Sequence, residues 1–73
     1  MTVYELLKQQ YRDATDKGIH IEFIELTQSD IDLLQIELAD LIDVYAKMQI
    51  GQVNTLNYVL KRIALPNIKL IKQ

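Results

Sequence analysis

Very few groups in this chain have the makings of a catalytic centre. It carries one serine, Ser29, one histidine, His20, and no cysteine. A nucleophile needs a base held against it. Ser29 instead stands with Thr27 ahead of an apolar periodic run, where a hydroxyl caps a helix start. His20 falls on the polar side of an alternating stretch, where solvation is expected. Two carboxylate pairs exist on paper, Glu22 with Glu25 and Asp40 with Asp43. Acid–base work needs a pKa displaced by burial, and these positions are expected on solvated surfaces. Asp30 and Asp32 open like a calcium loop, but the glycine and closing glutamate of that loop are missing. With only Gly18 and Gly51 there is no phosphate-cradling loop. The expectation is a protein that is not an enzyme, without cofactor, metal or small-molecule substrate.

Charge is better organised than chemistry. Residues 22–46 hold seven acids and no lysine or arginine, whereas residues 47–73 hold five bases and no acid. Net charge is only −2, yet such a polarised chain steers encounters and favours head-to-tail contacts between copies. Two binding surfaces follow. One is acidic and centred on Ile36, ringed by Asp32, Asp40 and Asp43. The other gathers Lys61, Arg62, Lys69 and Lys72 near Tyr58, a combination suited to single-stranded nucleic acid. An overall pI near 5.1 weighs against the second, since dedicated nucleic-acid binders are usually basic. The partner expected first is protein, in another copy or another chain.

These surfaces need elements to hold them. Thr27 and Asp30 mark a capped start for a long helix running to about Met48. Ile31, Leu34, Leu38, Leu41, Tyr45 and Met48 then recur at steps of three and four, the period of one helix face. Leu33, Ile42 and Val44 widen that stripe. Ile36 falls outside it, among acids. Gly51 stops this helix or lies just past it. Upstream, Thr2 and Glu5 repeat the capping pattern. Tyr4, Leu7, Tyr11 and Ala14 continue a helix from about Val3 to Lys17, with Gly18 free to take positive φ at its end. The tyrosines Tyr4 and Tyr11 are read as core.

Ile19 to Leu26 reads as a strand whose alternation switches parity after Phe23. Residues 52–65 fit a helix through Val53, Leu56, Leu60 and Ile63. The rival is a strand from Tyr58 to Ile63, turning at Leu65-Pro66-Asn67 into a hairpin. Asn67 to Ile71 reads as a closing strand. The fold class is α+β: two main helices with a small two- or three-stranded antiparallel sheet, in the order α-β-α-(α or β)-β.

Seventy-three residues suffice for one domain, spanning 1–73. A domain of that size buries only about 60% of its unfolded surface. Without cysteine there is no disulfide or thiolate metal site to staple it, which leaves oligomerisation as the common remedy. No signal peptide or membrane span is recognisable, and a cytoplasmic location is expected.

The run Asp30-Ile31-Asp32-Leu33-Leu34-Gln35-Ile36-Glu37-Leu38 resembles the acidic helix of a family of short uncharacterised proteins from Gram-positive bacteria. The Pro66 to Gln73 tail departs from that family's helical end. The wider layout is similar to small phage and prophage α+β proteins of unknown function. In those, a strand ending in an E-L-T-like sequence feeds an acidic helix, and a short closing strand follows, here Ile63 to Leu70. That resemblance implies an assembly or accessory protein, or an acidic inhibitor of a host protein, located in a host cytoplasm. It supplies no site residues.

Overall fold

The computed structural model describes residues 2–63, 65 and 68–73. Helix α1 spans Val3–Asp16, strand β1 Phe23–Leu26, helix α2 Gln28–Glu37, helix α3 Ala39–Tyr45, helix α4 Gln52–Ile63 and strand β2 Lys69–Lys72. The fold is therefore mixed α and β, and mostly helical.

Local signals account for both ends of α1. The Thr2 hydroxyl accepts the Glu5 N–H at 3.1 Å. At the other end Gly18 adopts φ +72°. Its N–H reaches the Thr15 carbonyl, and the Ile19 N–H reaches the Ala14 carbonyl at 2.8 Å. These two bonds form a Schellman closure, which needs a left-handed residue where glycine stands. The start of α2 is equally local, since the Thr27 hydroxyl accepts the Asp30 N–H.

The long helix expected from Thr27 to Met48 is two helices. Leu38 sits between them at φ −102° and ψ 13°, outside the helical region. Hydrogen bonds still cross the break, from Leu38 N–H to Leu34 and from Ile42 N–H to Leu38. The feature is thus a bend, not a loop. No glycine or proline lies there. The cause is tertiary: α3 turns to pack on α4, bringing Leu41 and Ile42 against the core. The bend and the end of α3 at Tyr45 together shift the stripe. Ile31, Leu34 and Leu38 are buried, but Leu33, Val44, Tyr45 and Met48 are exposed, and Ala46 takes the inward position.

Gly51 does not end the central helix. It lies six residues beyond α3, at φ +92°, and opens α4. The Gly51 carbonyl accepts both the N–H and the hydroxyl of Thr55. The segment 52–63 is a helix, as the Val53, Leu56, Leu60 and Ile63 spacing predicts, so the rival Tyr58–Ile63 strand is excluded. Of the expected 65–67 turn, Pro66 and Asn67 lie outside the described residues.

The sheet has two strands, β1 and β2, and they run parallel. This corrects the antiparallel expectation. Parallel neighbours need a crossover of a dozen residues or more, and α2, α3 and α4 supply it. The register pairs Phe23 with Lys69, Ile24 with Leu70, Glu25 with Ile71 and Leu26 with Lys72. The strand is shorter than expected, because residues 19–22 lie outside it. Ile24, Leu26 and Leu70 face the core, while Phe23, Glu25, Lys69 and Ile71 form an open outer face. The parity switch after Phe23 therefore marks the strand itself, with neither a bulge nor a second covered face.

Leu7, Ile31, Leu34, Leu56, Val59, Leu60 and Leu65 are the most deeply buried side chains. Each contributes about 1.5–3 kcal/mol by leaving water. Tyr4 and Tyr11 pack against this cluster from its margin.

Candidate interaction surfaces

On α2 the residues at about 100° intervals place Ile36 opposite the buried edge formed by Ile31, Leu34 and Leu38. Ile36 is 73% exposed, as the sequence predicts. Beyond the bend the exposure continues in Val44 at 71%, Met48 at 89% and Ile50 at 87%. Lone exposed apolar side chains are ordinary. Four such residues within fifteen, interleaved with exposed Asp40 and Asp43, make a concentration that a single exposed isoleucine does not. Met48 and Ile50 are the exposed apolar residues that sequence reading missed. Met48 lies in the turn beyond α3, which ends at Tyr45, and no glycine or proline marks that end in the sequence.

Asp32 does not stand free beside Ile36. Its Oδ1 accepts from Gln28 Nε2 and from Gln52 Nε2, each at 2.8 Å. Gln52 Nε2 also donates to Gln35 Oε1, and Gln28 Nε2 to Gln52 Oε1. Gln52 is the first residue of α4, so this amide cluster ties α4 to α2. The Gln52 bond is the main reason the Asp32 carboxyl is held below its ordinary range, with Gln28 and then the charge of Lys72 adding to it. Glu37 is diverted in a similar way. Its two carboxylate oxygens accept the Val3 and Tyr4 N–H groups at 3.0 and 2.9 Å. It thus closes the start of α1, where the helix dipole favours a negative charge. Asp32 stays exposed but is tied to Gln28 and Gln52, whereas no side-chain hydrogen bond of Asp40 or Asp43 is found among the described residues.

The four bases do not form one cluster. Lys61 and Lys69 line an open groove of about 590 Å³, together with His20, Glu22, Phe23, Asn57 and Tyr58. Arg62 is turned onto Tyr58, donating to its hydroxyl at 3.1 Å with the guanidinium 5.4 Å from the ring centre. Lys72 lies at the other end of β2, near enough to act on Asp32. His20 meets Glu22 at 3.5 Å, and both are well exposed. The two edges of the sheet also differ. The Leu70 N–H, which points away from β1, is taken by Asn57 Oδ1 at 2.7 Å. Among the described residues no such cap is found on β1.

Among the described residues no group of three or more His, Asp or Glu side chains is placed to hold a metal ion. Among the same residues no helix is long and apolar enough to cross a membrane. No protein-family profile, curated protein or solved structure matches the chain.

Proposed function

We propose that this chain is a non-enzymatic protein-interaction or assembly module, self-associating and phage- or prophage-encoded. The observation that carries the reading is the exposure of Ile36, Val44, Met48 and Ile50 within fifteen residues that also hold the exposed Asp40 and Asp43. Apolar side chains at the centre of a contact gain by losing water, while flanking charges set orientation and encounter rate. The matching partner surface is an apolar pocket rimmed by bases, on another copy or another protein.

Sedimentation at micromolar concentration and affinity capture test this reading together with Ile36→Asp. Association that weakens at least about tenfold in the variant, the scale of an interface anchor, supports it. A strict monomer that captures no partner removes it.

A second reading has one observation in its favour: Lys61 and Lys69 flank Tyr58 on a single groove. A single strand laid there would stack on the ring and place phosphates at the lysines. The diversion of Arg62 and Lys72 weakens this reading. Binding to single strands that falls steeply with salt would favour it, and a flat titration at low salt would dispose of it.

A further inference from the structure

The two edges of the sheet are not covered alike. β2 packs against α4, and the outward N–H of Leu70 is capped by Asn57. On β1 the alternation of the parallel ladder turns the N–H and C=O groups of Phe23 and Glu25 away from β2. This follows from the Glu22 and Leu26 carbonyls, which accept from Lys69 and Gln73 and so fix the even-numbered residues toward β2. Among the described residues nothing bonds the outward groups of Phe23 and Glu25. An edge of this kind is a template for another strand.

We infer that the free edge of β1 pairs with β1 of a second copy, antiparallel about a twofold axis centred on Phe23, giving a four-stranded sheet. The interface is isologous. It rests on the self-associating part of the proposed function but uses a different surface from Ile36 and Met48. Three features of the strand favour this occupant. First, Phe23 is 54% exposed and would face its symmetry mate directly, the arrangement in which cross-strand aromatic pairs stabilise a sheet. Second, this register sets Glu22 opposite Ile24 of the partner and Glu25 opposite Ile21, so no acid faces an acid although β1 carries no base. Third, on the outer face of the joined sheet the Phe23 pair would lie between the Lys69 side chains of the two copies, the register partners of Phe23 on β2, whose apolar stems can cover the rings.

Two substitutions separate this edge from the rest of the molecule. Glu25→Pro deletes an N–H that the fold does not use, and proline is tolerated at such edge positions. Phe23→Lys removes the aromatic pair and blunts the edge with charge. The expected result is self-association of the unaltered chain at micromolar concentration, weakened at least about tenfold by each variant, with unchanged far-ultraviolet circular dichroism. Hydrogen exchange of the Phe23 and Glu25 amides should slow as concentration rises. A chain that stays monomeric, or an assembly indifferent to both variants, overturns the inference. So does binding of a synthetic peptide Ile68–Gln73 to the edge of a monomer, which would make the occupant a basic strand. Loss of association in Ile36→Asp with both edge variants silent overturns the edge pairing and leaves the proposed function standing.

Discussion

The Glu37 carboxylate, at the last residue of α2, accepts the Tyr4 N–H in the first turn of α1 at 2.9 Å. Its second oxygen takes the Val3 N–H. Two donors that a helix start leaves without partners are thereby satisfied by a charge from another helix, and α1 is pinned to α2. Glu37→Ala should cost about 1–2 kcal/mol, the scale of a lost cap. In a domain of this size that is about 4–8 °C of melting temperature per kcal/mol. Glu37→Gln, which keeps an acceptor without the charge, should lose less. Thermal unfolding of the three proteins checks the order.

Asn57 fixes β2 to α4. Asn57→Ala leaves the partly buried Leu70 N–H without an acceptor, costing about 1–3 kcal/mol. Alanine is the better helix former by roughly half a kcal/mol, so the net loss should be about 1–2 kcal/mol. Asn57→Asp keeps the acceptor and should recover most of it. Urea unfolding measures both, and fast exchange of the Leu70 amide in the alanine variant localises the effect.

What the sequence discloses here follows the range of the interaction. Thr2 with Glu5, Thr27 with Asp30, and Gly18 act within a few residues, so α1 and the start of α2 are readable from spacing alone. The Val53, Leu56, Leu60 and Ile63 pattern outweighs the weak helix formers Asn54, Thr55 and Asn57. The bend at Leu38 is different, because no residue near it breaks a helix and its cause is the packing of α3 on α4. Strand direction is decided by the whole path from 27 to 68. Glu37 counts as one more acid on a polar face until its partners 33 and 34 residues away are known. Ile36 is legible as an outward residue, since its angle on α2 does not depend on the bend. Met48 and Ile50 are not.

The amide cluster predicts a pH effect of definite sign. Gln52 and Gln28 lower the Asp32 pKa. A carboxyl lowered on folding adds stability above its ordinary range, and that contribution is lost as pH falls through the lowered value. Asp32 is solvent-exposed, so the effect on stability should be small. Its titration is the sharper readout. Gln52→Ala removes the largest cause and should move the Asp32 midpoint upward, followed by the side-chain carboxyl signal in NMR. An unchanged midpoint would mean that Gln52 does not hold Asp32 in solution.

The end of α3 at Tyr45 separates residues that one helix running to Met48 would make alike. Leu38 is 4% exposed and belongs to the main core. Leu38→Asp would bury a charge without a partner and lose the packing of a core leucine, about 2–5 kcal/mol for truncation alone. A small domain has about 5–15 kcal/mol in all, so this variant should show no cooperative unfolding. Met48 lies ten residues further along the same periodic stripe but projects into solvent. Met48→Ser should change stability by no more than about 0.5 kcal/mol. Leu34→Ala provides the scale, with an expected cost of about 2–5 kcal/mol. Urea midpoints for the three variants decide the matter. If Met48→Ser unfolds as early as Leu34→Ala, then Met48 is packed, the helix runs on past Tyr45, and the apolar surface assigned to partner contact is part of the core.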